Sequence, residues 1–158
     1  MNTDMKTWLE LLELQHRYMA ALDNDELERW PTFFTPDCIY EIIPKENIDA
    51  GLAMPVIYCR NDRMLRDRVT SLRQANIYEP HVYRHMASGL LIKSAEGDTV
   101  TATSSYAVIR TGLSGESSVY QAGRYEDECI RTDDGWRYRK KRVVYDTLRV
   151  QTLLATPI

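Results

Sequence analysis

The sequence predicts an α+β fold in which a curved sheet wraps against an N-terminal helical layer. Two observations carry this: helical periodicity is confined to the first half of the chain, and from Tyr83 onward β-rich runs alternate with turn signals. The β runs follow one another at hairpin distance, so a long antiparallel meander is expected. The whole chain, 1–158, reads as one domain, with no internal repeat, low-complexity tract or linker.

The first segment is a helix. Trp8, Leu11, Leu12, Tyr18, Met19 and Leu22 recur at helical spacing, whereas Glu10, Glu13, Gln15 and Arg17 fall on other faces. Asp23-Asn24-Asp25 stops it and can cap a short second helix, Glu26 to Phe34, which Pro31 limits and Pro36 closes. Cys38 to Ile43 alternates as a strand, and Lys45 to Pro55 reads as loop. A third helix starts at Asn61 or Asp62, with Met64, Leu65, Val69 and Leu72 on its apolar face and Arg63, Arg66, Asp67, Arg68 and Arg73 outside. Pro80 ends the connection after it, and strands are expected near 83–94, 99–111, 118–131 and 136–150.

The last two strands set the register of everything behind them. Asp133-Asp134-Gly135 is a hairpin turn, because Asp and Gly tolerate the left-handed backbone that short turns require. A turn centred on Asp133 and Asp134 sets Arg131 opposite Trp136, Cys129 opposite Tyr138, Asp127 opposite Lys140, Tyr125 opposite Arg142 and Gly123 opposite Val144. The other face pairs Glu128 with Arg139 and Glu126 with Lys141, opposite charges that support the same register. The inner face then carries an unusual polar set, Asp127, Lys140 and Arg142. The outer face presents Arg137, Arg139 and Lys141 as a candidate docking surface.

Composition bounds the function. The chain is 44% hydrophobic and 27% charged with net charge −3, which argues against nucleic acid as a partner. Asp4, Glu10 and Glu13 interrupt the first apolar stretch and no run reaches membrane length, so neither a secretory segment nor a membrane span is expected. Cys38, Cys59 and Cys129 are scattered and odd in number, as expected for reduced thiols in a cytoplasmic protein. His81 and His85 follow Pro80 in a β-rich run, so they do not form a helical zinc pair. No paired Cys and His spacing suits an iron–sulfur cluster. Gly112 and Gly115 lie in a turn between strands, not in a phosphate cradle, and no serine or cysteine sits in a nucleophile pattern. What is left is a set of ionisable groups on a scaffold able to enclose a pocket: Asp37, Tyr40, His85, Asp127, Lys140 and Arg142. Three readings are open. In one, Asp37 or Asp127 is the base and Tyr40 or His85 the acid of an isomerase or dehydratase. In another, the same pocket binds a small ligand without chemistry. In the third, the same groups are a mutually paired structural set.

Several stretches together resemble the small (β) subunits of bacterial aromatic-ring-hydroxylating oxygenases. They are Trp30-Pro-Thr-Phe-Phe-Thr-Pro-Asp-Cys-Ile-Tyr40, Met64 to Arg73, Ala75-Asn-Ile-Tyr-Glu79 and Tyr83-Arg-His85. Gly123-Arg124 with its acids, Gly135-Trp136 and the basic run to Asp146 complete the set. Within that family the chain looks most similar to salicylate 5-hydroxylase and terephthalate dioxygenase small subunits, with anthranilate oxygenases nearby. The tail Arg149 to Ile158 and the segment Trp30-Pro-Thr-Phe-Phe34 tilt the expectation to the salicylate type. The resemblance implies a nuclear-transport-factor-two-like cone and an assembly of three large and three small subunits, with small–small contacts in the trimer. It implies that the large subunit holds the 2Fe-2S Rieske cluster and the mononuclear Fe(II), with NAD(P)H consumed through separate electron-transfer components. It implies, finally, that this chain is a structural subunit with no cofactor, no metal ligand and no catalytic residue of its own.

Overall fold

A computed structural model describes residues 4–75, 80–147 and 156–158. Helix α1 (Met5–Asp23) is capped by the Asp4 side chain, which accepts from Lys6 N. It buries Leu11, Leu14, Tyr18, Met19, Ala21 and Leu22. Gln15, expected on an outer face, is buried as well and donates from Nε2 to Ser104 Oγ at 2.7 Å. A 3₁₀ helix, Leu27–Phe33, replaces the short α-helix expected there, because Pro31 lies inside it. Strand β1 (Phe34–Pro44) is longer than expected. The segment expected as loop carries a short helix, α2 (Lys45–Asp49), and is followed by a short strand, β2 (Ile57–Cys59). Helix α3 (Asp62–Gln74) starts where the sequence suggests: Asn61 Oδ1 accepts from Met64 N at 2.9 Å, and Leu65, Val69 and Leu72 face the core.

Strands β3 (His81–Glu96), β4 (Thr99–Gly112), β5 (Ser117–Thr132) and β6 (Gly135–Tyr145) form the antiparallel meander. The sheet then continues through a parallel β6–β1 pair and an antiparallel β1–β2 pair, giving the order β2-β1-β6-β5-β4-β3. A mixed, open, six-stranded sheet backed by helices is the observed α+β architecture. The expected extension of the last strand to 150, the stretch 76–79 and most of the tail lie outside the described residues.

Bulges shape the sheet. On β3, Gly89 (φ 68°) and Leu90 stand opposite a single residue of β4, and Trp8 of α1 donates from Nε1 to Leu90 O at 3.0 Å at this point. On β5, Tyr120 is the extra residue between the Val108–Gln121 and Ile109–Val119 pairs, so Tyr120 and Gln121 are both fully buried. On β6 the extra residue is Arg139, and this corrects the expected hairpin register. The turn itself is as expected: Arg131 pairs with Trp136 and Cys129 with Tyr138, while Gly135, not an aspartate, takes the positive φ of 105°. Beyond the bulge the ladder shifts by one, pairing Glu128 with Lys140, Asp127 with Lys141, Glu126 with Arg142, Tyr125 with Val143 and Gly123 with Tyr145.

The core between α1 and the sheet is dense in tyrosine. Trp30 donates to Tyr18 Oη at 3.2 Å, and Tyr18 donates to Ile158 O at 2.7 Å. The Tyr40 hydroxyl donates to Ile158 O at 3.2 Å and accepts from Ile158 N at 3.0 Å, so the buried chain end completes this layer.

Candidate functional site: the concave face of the sheet

The one-residue shift decides which cation is inside. Lys141 is fully buried, and its Nζ donates to both carboxylate oxygens of Asp127 at 3.1 and 3.2 Å. The ammonium also lies 3.8 Å from the ring centre of Tyr125, 4.4 Å from that of Tyr138 and 4.8 Å from that of Tyr18, a cage of cation–π contacts. Burial pushes the Asp127 carboxyl up and the Lys141 ammonium down, and the attraction between them opposes both shifts. Lys140 and Arg142, expected inside, are half-buried on the opposite face, because Arg139 absorbs one position of the alternation. There Arg142 binds Glu41 and approaches Glu126 at 3.5 Å. The expected docking row of Arg137, Arg139 and Lys141 is broken for the same reason. Arg139 binds Glu128 at 2.6 Å and Arg137 reaches Asp134 at 3.4 Å, but Lys141 points inward.

The other candidates do not form one constellation. Asp37 is exposed, in the irregular part of β1 between Phe34 and Ile39. Tyr40 is buried but committed to Ile158, and burial raises its phenol far above the ordinary range. His85 is paired with a residue that the sequence offers only as a helix stop. Asp23 Oδ1 lies 2.6 Å from His85 Nδ1, and its two oxygens accept from the His85 backbone N–H at 3.1 and 3.0 Å. The His85 side chain is 0% exposed and that of Asp23 6%. A carboxylate at the last residue of a helix opposes the helix dipole, so Asp23 is held there by His85 and not by α1. Sixty-two positions separate the two residues, and no local pattern joins them.

A carboxylate only accepts, so Nδ1–H donates to Asp23 and Nε2 is the ring nitrogen turned away from it. Nε2 is buried and has no partner. Across the sheet from His85 come Val108 and then Gln121, in one row of the ladder. Gln121 accepts from the Tyr106 hydroxyl at 2.7 Å through Oε1, while its Nε2 is buried without a partner. Tyr106 stacks on Tyr125 at 4.4 Å, and the Tyr125 hydroxyl is likewise unpartnered. Tyr83 stacks on Tyr120 at 5.1 Å and meets the His85 ring edge-on at 6.2 Å. The face of the sheet turned toward α1 thus holds a charged, saturated pair at Asp127–Lys141 and, separately, buried polar atoms without partners at His85, Gln121 and Tyr125.

Among the described residues no cluster of three or more His, Cys, Asp or Glu could hold a metal ion. All three cysteines are free and buried, and burial pushes the Cys38 thiol up to about 12 and raises Cys59 and Cys129 as well. Among the described residues no helix is long and apolar enough to cross a membrane.

Comparison with known proteins places this architecture. A model of the SnoaL-like domain matches residues 4–142. The anthranilate 1,2-dioxygenase small subunit of Burkholderia cepacia is 61% identical over 98% of this chain and 96% of its own. A β subunit of the terminal oxygenase component of terephthalate 1,2-dioxygenase from Comamonas sp. is 35% identical, covering 95% of this chain and 97% of its own. Among solved structures, the β subunit assigned to an aromatic-ring-hydroxylating dioxygenase of Novosphingobium aromaticivorans DSM 12444 superposes with a TM-score of 0.87. It is 43% identical and covers 94% of each chain. The chain therefore belongs to the SnoaL-like domain family and, within it, to the small subunits of aromatic-ring-hydroxylating dioxygenases.

Proposed function

We propose that this chain is the structural small subunit of a cytoplasmic dioxygenase acting on a benzoate-type aromatic acid, with anthranilate as the substrate of the assembled enzyme. The observation that carries this is the 61% identity, over nearly the full length, to the small subunit of an anthranilate 1,2-dioxygenase. The salicylate type suggested by the tail has no such support: the two relatives above are named for anthranilate and terephthalate. In this reading the large subunit carries the Rieske 2Fe-2S cluster and the mononuclear Fe(II), and electrons arrive from NAD(P)H through separate components. Dioxygen chemistry on an aromatic ring needs a redox cofactor, and this is the one the family's large subunits supply. The small subunits hold three large subunits together and contact one another in the trimer. Exposed apolar residues support an assembled chain: Val82, Met86 and Leu91 along the edge strand β3, with Leu113 and Val119 beside them, form surface that a free monomer would cover or charge.

The test is reconstitution with the large subunit of an anthranilate-type dioxygenase, followed by turnover of anthranilate, terephthalate, salicylate and benzoate. Anthranilate is expected to be consumed fastest. Preferential turnover of salicylate would restore the salicylate reading, and no turnover with any of the four would remove the substrate class.

A further inference from the structure

On the outer side of α1, away from the sheet, three guanidiniums line one hollow. It has a volume of about 210 Å³ and opens where α1, the 3₁₀ helix and the tip of the β5–β6 hairpin meet. Its apolar floor is Leu14, Phe33 and Trp136, and its charged lining is Arg17, Arg29, Arg137 and Asp134. The three arginines come from three elements, α1, the 3₁₀ helix and β6, so no local repeat accounts for their meeting. Two carboxylates answer them: Glu26 binds Arg29, and Asp134 lies 3.4 Å from Arg137. Arg17 is left over. It is exposed and, among the described residues, has no ion pair or hydrogen bond. Glu13, one turn earlier on α1, lines an adjoining cavity of about 190 Å³ and does not pair with Arg17. In that cavity Arg131 and the Trp136 indole are both committed to Glu10.

A surplus guanidinium in a hollow, on a chain of net charge −3, sets up a local positive potential that an incoming anion would neutralise. The fork of an arginine matches a carboxylate with two parallel hydrogen bonds. Arginine beside tryptophan, in a hollow with an apolar floor, is also the composition on which interface energy concentrates. The volume lies below the roughly 300 Å³ at which small-molecule sites begin, so the hollow suits one side chain of a partner and not a free ligand. We propose that it is a docking socket for an acidic segment of the large subunit, with one Asp or Glu carboxylate bound to Arg17 above Trp136 and Phe33. The inference rests on the assembly proposed above and names where one of its contacts falls.

The experiment titrates the full small-subunit chain into the large subunit of an anthranilate-type dioxygenase, at low and at moderate salt, with Arg17→Glu and Arg17→Lys as variants. Arg17 is exposed and unpaired, so neither change is expected to move the melting temperature of the isolated chain. Arg17→Glu is expected to weaken association roughly a hundredfold at low salt, and Arg17→Lys about tenfold, since lysine keeps the charge but loses the fork. The gap between the parent and Arg17→Glu should narrow as salt rises. A photo-crosslinking amino acid in place of Thr32, an exposed residue lining the same hollow, should then link to an acidic stretch of the large subunit. Parent affinity in Arg17→Glu overturns the socket and leaves the assembly standing. So does a complex that forms with no crosslink, or with a crosslink to a second copy of this chain. A parent chain that does not associate at all overturns both.

Discussion

At the scale of single residues, Lys141 is the position on which the concave face depends. A buried ammonium is tolerated here because Asp127 binds it twice and three tyrosine rings surround it. Removing one partner is far more costly than removing both, since a lone charge is left in a low-dielectric interior. Asp127→Asn is therefore expected to cost about 3–5 kcal/mol in urea unfolding at neutral pH. The double change Asp127→Leu with Lys141→Met is expected to recover most of that loss, and a single variant as stable as the parent would contradict the pairing. Glu10 carries a second, smaller electrostatic contribution at the surface. It accepts from Trp136 Nε1 at 2.8 Å and from Arg131 at 2.7 Å, and these bonds, the indole first, hold its carboxyl below the usual range. Its folded-state value lies below its unfolded value, so its stabilisation is present above the ordinary glutamate range. It is lost as pH falls through the lowered value. Unfolding midpoints measured from neutral pH downward should fall less steeply in Glu10→Gln; an identical acid limb would refute the assignment.

At the scale of elements, the β5–β6 ribbon is set by a close approach as much as by its turn. At Gly123 an added Cβ would lie 1.9 Å from Val144 O and 2.8 Å from Tyr145 Cα, both backbone atoms of β6. No rotamer relieves such a clash, and β6 is fixed on its other side by the parallel pair with β1. Gly123→Ala is expected to cost more than about 4 kcal/mol, or to prevent folding, as read by circular dichroism and thermal melting. A melting temperature near that of the parent would show that the two strands have room to part.

The same ribbon shows what the sequence could and could not disclose. Turn chemistry at Asp133 to Gly135 and the charge pattern placed Trp136 and Tyr138 correctly, because both depend on residues near the turn. The bulge at Arg139 left no signal, since Arg-Lys-Lys-Arg offers no break in type. A shift of one residue then exchanged Lys140 for Lys141 on the inner face. The His85–Asp23 pair escaped for another reason: Asp23 serves equally well as a helix stop, and only the packing of α1 against β3 brings it to His85. Helix starts, apolar faces and the β3–β6 meander are local or periodic properties and could be read directly, whereas the parallel β6–β1 pair and strand β2 could not. Which polar group meets which across the fold is not.

At the scale of the whole molecule, the edge strand β3 leaves Val82, Met86 and Leu91 exposed, surface that an assembled partner would cover. In the function proposed above, the catalytic demands of ring dioxygenation fall on the large subunit. The most direct measurement is the mass of the complex formed when this chain is co-expressed with a large subunit of an anthranilate-type dioxygenase. Size-exclusion chromatography with light scattering should give one species containing both chains in equal number, coloured by the partner's iron–sulfur cluster. Elution of this chain by itself, with the large subunit equally soluble and coloured in its absence, would contradict the account.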